Sequence, residues 1–212
     1  MAHSFDRDYW EQHWHETPER TTAAPAESQP NPYVTRIIRA LPPGTALDAG
    51  CGTGTETLEL AASGWDVVGA DTSSTALATA ARNAAERTLP GSVTWVEADL
   101  VSWEPGRRFD LVMTSYAHPA MPQLAFYERI MDWVSPGGTL LIVGHAHDPA
   151  AMTGHGHHPP AEATVTAADV AALLDPAQWT ITTAELQTRT VTAPDGQTAT
   201  LPDAVVQATR RA

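Results

Sequence analysis

From Thr45 onward the chain alternates short apolar runs with amphipathic segments, and few folds accept that pattern. TALDAG, WDVVGAD, SVTWVEAD, FDLVMTS and GTLLIVG are rich in branched and aromatic side chains and read as buried strands. TETLELAAS, STALATAARNAAERT and QLAFYERIMDWV repeat apolar residues at helical spacing. Apolar strands joined by such helices predict a mostly parallel, doubly wound α/β sheet. The end of the chain departs from this: after a helix at TAADVAALL, two β-rich runs flank the turn-forming PDG, so the sheet should close with an antiparallel hairpin.

The segment ahead of Thr45 has a different character. FDRDYWEQHWHETPE sets Phe5, Tyr9, Trp10, His13 and Trp14 along one helical stripe. A Pro-rich stretch follows, and PYVTRIIRAL reads as a short helix stopped by Pro42 and Pro43. Residues 1–44 are therefore expected to form a helical cap and linker, and 45–212 one α/β domain, since 212 residues suffice for a single sizeable core.

Charge narrows the function. A net charge of -13 repels phosphate backbones and anionic lipid, and the only adjacent arginines are Arg107-Arg108 and Arg210-Arg211, so neither nucleic acid nor membrane is an expected partner. The absence of lysine excludes a Schiff-base lysine and the Tyr-x-x-x-Lys pair of many small dehydrogenases. Cys51, the single cysteine, excludes an internal disulfide, and the N-terminus lacks the apolar core of a secretory signal. A cytoplasmic bacterial protein, monomer or homodimer, is the expectation.

The ligand is suggested by the first strand-to-helix turn. Gly50, Gly52 and Gly54 end a strand and open a helix, where absent Cβ atoms let a ligand approach the backbone. Asp71 ends the next strand beside that turn, where a carboxylate can accept ribose hydroxyls. Asp48 just before the turn would repel a pyrophosphate but attract an ammonium, and a ligand that also carries a sulfonium suits this acidic corner. Asp99 follows the third strand, placed to accept from an adenine amino group. Asp48 alone could be a turn residue, and Cys51 reads as a small inert residue of a tight turn.

LDAGCGTGT, VVGADTS, VEADL, FDLVMTSYAH and SPGGTLLIVG, in this order, resemble the class I S-adenosylmethionine-dependent methyltransferases. The likeness covers about Ala46 to Gly144. It implies a Rossmann-like sheet of seven strands, the last reversed, and methyl transfer to a small-molecule acceptor through S, N or O, leaving S-adenosylhomocysteine. It further implies that Asp48, Gly50, Cys51, Gly52 and Gly54 hold the methionine part, Asp71 and Thr72 the ribose side, and Asp99 and Leu100 the adenine. Ser115 to His118 should face the transferred methyl. The N-terminal DYWEQHW is loosely similar to that of the thiopurine, thiol and tellurite methyltransferase group, which favours a soft sulfur or heterocyclic nitrogen acceptor over a carboxylate. A nicotinamide-dependent oxidoreductase and a regulator that binds S-adenosylmethionine without turnover are the alternatives.

His118, Tyr116 and His145 are the candidate catalytic side chains, with His118 first as base or orienter, although a histidine here could merely satisfy a loop carbonyl. Trp10 and Trp14 could close over the ligand, or the N-terminal helix could simply dock on the core. The acidic composition favours an uncharged or cationic acceptor. HAHDPAAMTGHGHHPP offers His145, His147, His155, His157, His158 and Asp148, but its irregular spacing fits no structural zinc pattern, so no metal is expected and a polar lid is the preferred reading.

Overall fold

The computed structural model describes residues 4–16, 30–146, 160–192 and 198–212. Two helices precede the sheet, α1 (Arg7–Glu16) and α2 (Pro32–Ala40). Proline at the first turn and the Asn31 side chain accepting from the Tyr33 N–H start α2 where the sequence placed it. Then follow β1 (Thr45–Ala49), α3 (Thr55–Ala62), β2 (Asp66–Asp71), α4 (Ser74–Ala85), β3 (Ser92–Glu97) and β4 (Phe109–Ser115). The chain continues through α5 (Gln123–Met131), β5 (Val134–Ala146), β6 (Thr164–Val165), α6 (Ala167–Ala172), β7 (Trp179–Thr192) and β8 (Thr198–Arg210).

The sheet runs β3-β2-β1-β4-β5-β8-β7, parallel from β3 to β5, with β8 antiparallel to both β5 and β7. Those seven strands are the ones anticipated. An eighth, β6, pairs with the end of β5 through His145 and Thr164, and through Ala146 and Val165. Two residues leave no periodic pattern to read, which is why it was not foreseen. The helix expected through Val134 ends at Met131, because Val134 pairs with Phe109 and already belongs to β5. The PDG turn lies outside the described residues.

Successive strand residues serve opposite faces, as a pleated sheet requires. Leu47, Val112, Leu140 and Val206 join Phe126, Ile130 and Val170 beneath α5 and α6. Their neighbours Ala46, Leu111, Leu141 and Val205 join Val34, Ile37 and Leu60 beneath α2 and α3. Both faces being buried explains the unbroken apolar runs. Trp65 and Trp103 serve packing, the first buried and the second edge-on to Trp133 at 5.7 Å. No helix among the described residues is long and apolar enough to cross a membrane.

From β1 the chain moves outward through β2 and β3, then returns to lay β4 on the other side of β1. This switch point leaves a crevice at the carboxyl ends of β1 and β4, the place where open α/β sheets bind ligands.

Candidate active site

The turn after β1 fills the floor of that crevice. Gly50 (φ 82) and Gly52 (φ 52) take left-handed backbone, and the Gly50 N–H donates to the Ala70 carbonyl at 2.8 Å. A Cβ on Gly50 would lie 2.2 Å from the Ala117 methyl, so no larger residue fits. The Asp71 carboxylate braces the turn, accepting from the Gly52 N–H at 2.8 Å and from the Ser73 N–H at 2.9 Å. Asp48 accepts from the Thr57 hydroxyl at 2.7 Å.

Acid is concentrated here, and Arg189 eases only part of it, lowering Glu56 against the effect of its burial. Burial, then the Glu56 charge, pushes the Asp48 carboxyl up to about 7 despite its Thr57 hydrogen bond. Burial also raises Asp71, against the hydrogen bonds from Ser73 and Gly52, and it raises Glu56. The Cys51 thiol is pushed up by burial, then by Asp48 and Asp71, which opposes thiolate formation. Such a corner is built for a positive ligand: an ammonium or sulfonium would relieve the repulsion and restore ionisation.

Asp48, Asp71, Thr72, Asp99, Leu100 and Ser115 all line one cavity of about 1010 Å³, together with Gly50, Cys51 and Gly52. Gly54 does not. It starts α3 with φ 81 and faces the core, where a Cβ would lie 2.5 Å from the Trp95 ring, so its need for glycine is packing. Asp99 is exposed and caps its own turn, accepting from the Val101 N–H at 2.9 Å. The Ser115 hydroxyl is buried without a partner among the described residues.

The helix α1 contributes no buried residue and lies over the mouth of this cavity rather than in the core. Trp10 Nε1 donates to the His118 carbonyl at 2.9 Å, and the Trp14 ring presses on the Gly52 turn, where a Cβ would meet it at 3.0 Å. Glu11 fastens the helix. Its carboxylate accepts from the Ser74 N–H at 2.6 Å and from both the Ser73 and Ser74 hydroxyls, capping α4 from another element. Burial alone would raise Glu11, but hydrogen bonds from Thr75 and Ser74 outweigh it and hold the carboxyl at about 2.

Opposite the acidic corner stand the three candidate catalytic side chains. Gln123 fixes the His118 ring: its Nε2 donates to the Ala117 carbonyl at 2.9 Å, leaving Oε1 to accept from His118 Nδ1–H at 2.9 Å. The proton therefore sits on Nδ1 and Nε2 keeps a bare lone pair, buried and without a partner among the described residues. Burial lowers the His118 pKa against that Gln123 bond, so the ring is neutral. His145 is held at about 4 by burial, then by His118 and Arg189. It is sandwiched between Tyr116 at 4.7 Å and His118 at 5.4 Å. Tyr116 itself adopts φ 57, an unusual backbone for a bulky residue that turns its ring into this stack.

Sequence reasoning missed Arg189, Glu56, Glu11 and Gln123. Each belongs to a segment that reads as an ordinary amphipathic helix or strand; only the folded chain brings it to the crevice. His147, Asp148, His155, His157 and His158 lie outside the described residues. No group of ligating side chains suited to a metal occurs among those described.

Comparisons with known proteins agree with this geometry. Residues 46–138 match a family model described as a methyltransferase domain. A probable thiol methyltransferase 2 of Arabidopsis thaliana is 30% identical over 143 residues, covering 63% of this chain and 60% of that protein. A trans-aconitate 2-methyltransferase of Rhizobium leguminosarum bv. trifolii is 39% identical over 100 residues, 46% of this chain and 37% of the relative. The chain thus matches less than two thirds of the length of either. Magnesium protoporphyrin IX methyltransferase from Synechocystis PCC 6803, solved with bound S-adenosylhomocysteine, superposes with a TM-score of 0.69 at 18% identity, covering 97% of each chain. Over residues 46–138 the chain is thus similar to a methyltransferase domain, and the whole chain shares the fold of the solved methyltransferase on which it superposes.

Proposed function

We propose that this protein transfers a methyl group from S-adenosylmethionine to a small-molecule acceptor. One observation carries the reading: a glycine turn braced by Asp71 and flanked by buried, uncompensated Asp48 opens into the same cavity that His118 lines. The donor set suits the compound. Asp48 would hold its ammonium, the Asp71 oxygens have lone pairs left for ribose hydroxyls, and Asp99 with Leu100 would flank adenine. When bound, the cofactor supplies an electrophilic methyl, and transfer leaves S-adenosylhomocysteine.

The chain's own residues do the remaining work. Displacement needs the acceptor lone pair about 3 Å from the methyl carbon with water excluded, and Trp10 and Trp14 of α1 shut the cavity from above. His118 Nε2 is the base that takes a proton from a thiol, hydroxyl or ring N–H. Tyr116 and His145, stacked beside His118 on the same wall, orient the acceptor. The acids lining the cavity oppose a dinucleotide pyrophosphate, which disfavours the oxidoreductase alternative.

Incubation with methyl-labelled S-adenosylmethionine and a panel of thiols, heterocycles and acids tests the reading by release of labelled product and S-adenosylhomocysteine. Binding without release from any acceptor would leave the regulator alternative in its place. His118→Ala should lower turnover by about 100-fold, within the range for a general base. Calorimetry should find its S-adenosylhomocysteine affinity near that of the unaltered protein.

A further inference from the structure

Two arginines line the cavity among the described residues, and they are placed differently. Arg7 stands at the rim and is paired with Glu97. Arg189 reaches in from β7, its side chain about one-fifth exposed. Its Nε is held from behind, donating to the Tyr116 hydroxyl at 2.8 Å and to Asp203 Oδ2 at 3.0 Å. Asp203 is fully buried on β8 and also accepts from the Tyr33 hydroxyl at 3.2 Å, so it cannot turn away. The guanidinium packs on the Tyr116 ring with Cζ 4.9 Å from its centroid. Neither Nη makes a hydrogen bond among the described residues. A fork anchored through Nε leaves its two outer nitrogens for a planar anion.

This arginine ends a column of stacked planar groups. Tyr116 follows it, then His145, then His118, whose bare Nε2 lies two rings beyond Tyr116. Phe5 of the N-terminal segment continues the column at 5.6 Å from His118. A flat acceptor laid along that wall would put its negative group at one end and its nucleophilic atom at the other.

We propose, resting on the methyltransferase reading, that the acceptor is a planar or unsaturated carboxylate whose acid group binds the Nη edge of Arg189 while its nucleophilic atom meets His118. This reverses the expectation drawn from the net charge. The overall negative surface is screened within about 8 Å at physiological salt, whereas Arg189 acts inside the cavity at contact distance. A singly charged carboxylate is favoured over a phosphate, because a dianion would meet the repulsion of Asp48, Glu56 and Asp71 on the same walls. Asp203 neutralises the arginine's burial, yet it occupies only Nε and cannot replace a ligand at the outer fork.

The test uses 4-mercaptobenzoate against its methyl ester and thiophenol, each titrated into the protein loaded with S-adenosylhomocysteine. The acid should bind at least tenfold more tightly than either thiol that lacks the carboxylate. Arg189→Gln should erase that preference by weakening the acid far more than the two thiols that lack the carboxylate. Should Arg189→Gln fail to fold around the unpaired Asp203, the double variant R189Q/D203N removes both charges and serves instead. Equal binding of acid and ester by the unaltered protein overturns the proposal, as does a preference that survives loss of Arg189. If S-adenosylhomocysteine does not bind at all, the methyltransferase reading fails separately. The same titration on the protein alone then still decides whether the cavity prefers the carboxylate.

Discussion

Asp71 and Asp48 lie on adjacent strands, β2 and β1, two residues apart in register, but do different work. Asp71 spends one lone pair of each oxygen on the Gly52 and Ser73 N–H groups, so it fixes the turn as well as facing the cavity. Asp71→Ala should therefore weaken S-adenosylmethionine binding by about 1–3 kcal/mol, the cost of a lost charge-assisted contact, measured by calorimetry. Asp48 makes one side-chain hydrogen bond, from Thr57, and its carboxyl is raised to about 7. The sign follows from that direction: the ligand-free fold favours the protonated acid, and its stability falls as pH rises from the ordinary carboxylate range through 7. A bound cation reverses the preference. S-adenosylmethionine affinity should rise between pH 6 and 8, with a proton released on binding that shows as a buffer-dependent calorimetric enthalpy; a pH-independent affinity would remove Asp48 from the ammonium site.

The element that lines the cavity without joining the core is α1. No core packing holds it, since none of its residues is buried. It is held at its polar contacts instead: Glu11 on the start of α4, Trp10 on the His118 carbonyl, Arg7 on Glu97. Because Glu11 is depressed to about 2, its contribution is complete above the ordinary carboxylate pKa of 4.5 and decays as pH falls from there through 2. Glu11→Gln loses the charge while keeping the shape. Loss of a cap of this kind costs about 1 kcal/mol, so amide exchange in α1 should quicken about fivefold at neutral pH while the strands stay protected. Unchanged exchange would mean that Trp10 and Arg7 alone retain the helix.

At the scale of the molecule, the C-terminal hairpin is more than an edge decoration. β8 lies between β5 and β7, and Val205 and Val206 are buried on opposite faces of the sheet. It also carries Asp203, while β7 carries Arg189, so the hairpin finishes the core and brings Arg189 to the cavity wall. A chain ending after Asp175 would leave β5 with a bare edge and Leu140 to Val143 half covered. It should lose the cooperative thermal transition seen by circular dichroism, and a sharp transition would show that β8 is dispensable.

The strands up to β5, the helices between, the hairpin and the acidic glycine turn were legible in the residues. Each follows from local chemistry: period of apolar residues, glycine where backbone must be left-handed, carboxylates at the ends of adjacent strands. The two-residue β6 and the true end of α5 were not legible, being settled by pairing with distant strands. Gly54 illustrates the limit, since its place in the motif suggested ligand contact and its neighbours Trp95 and Ala80 made it a packing residue. Glu11, Gln123 and Arg189 illustrate it from the other side. By itself the sequence determined where strands, helices and the cofactor turn form, because propensity and spacing act within a few residues. Only the tertiary structure decided that a glutamate caps a helix 63 residues away, that a glutamine sets a histidine's tautomer, and that an arginine faces a cavity. Those depend on burial and partner geometry, which exist only once the sheet has assembled.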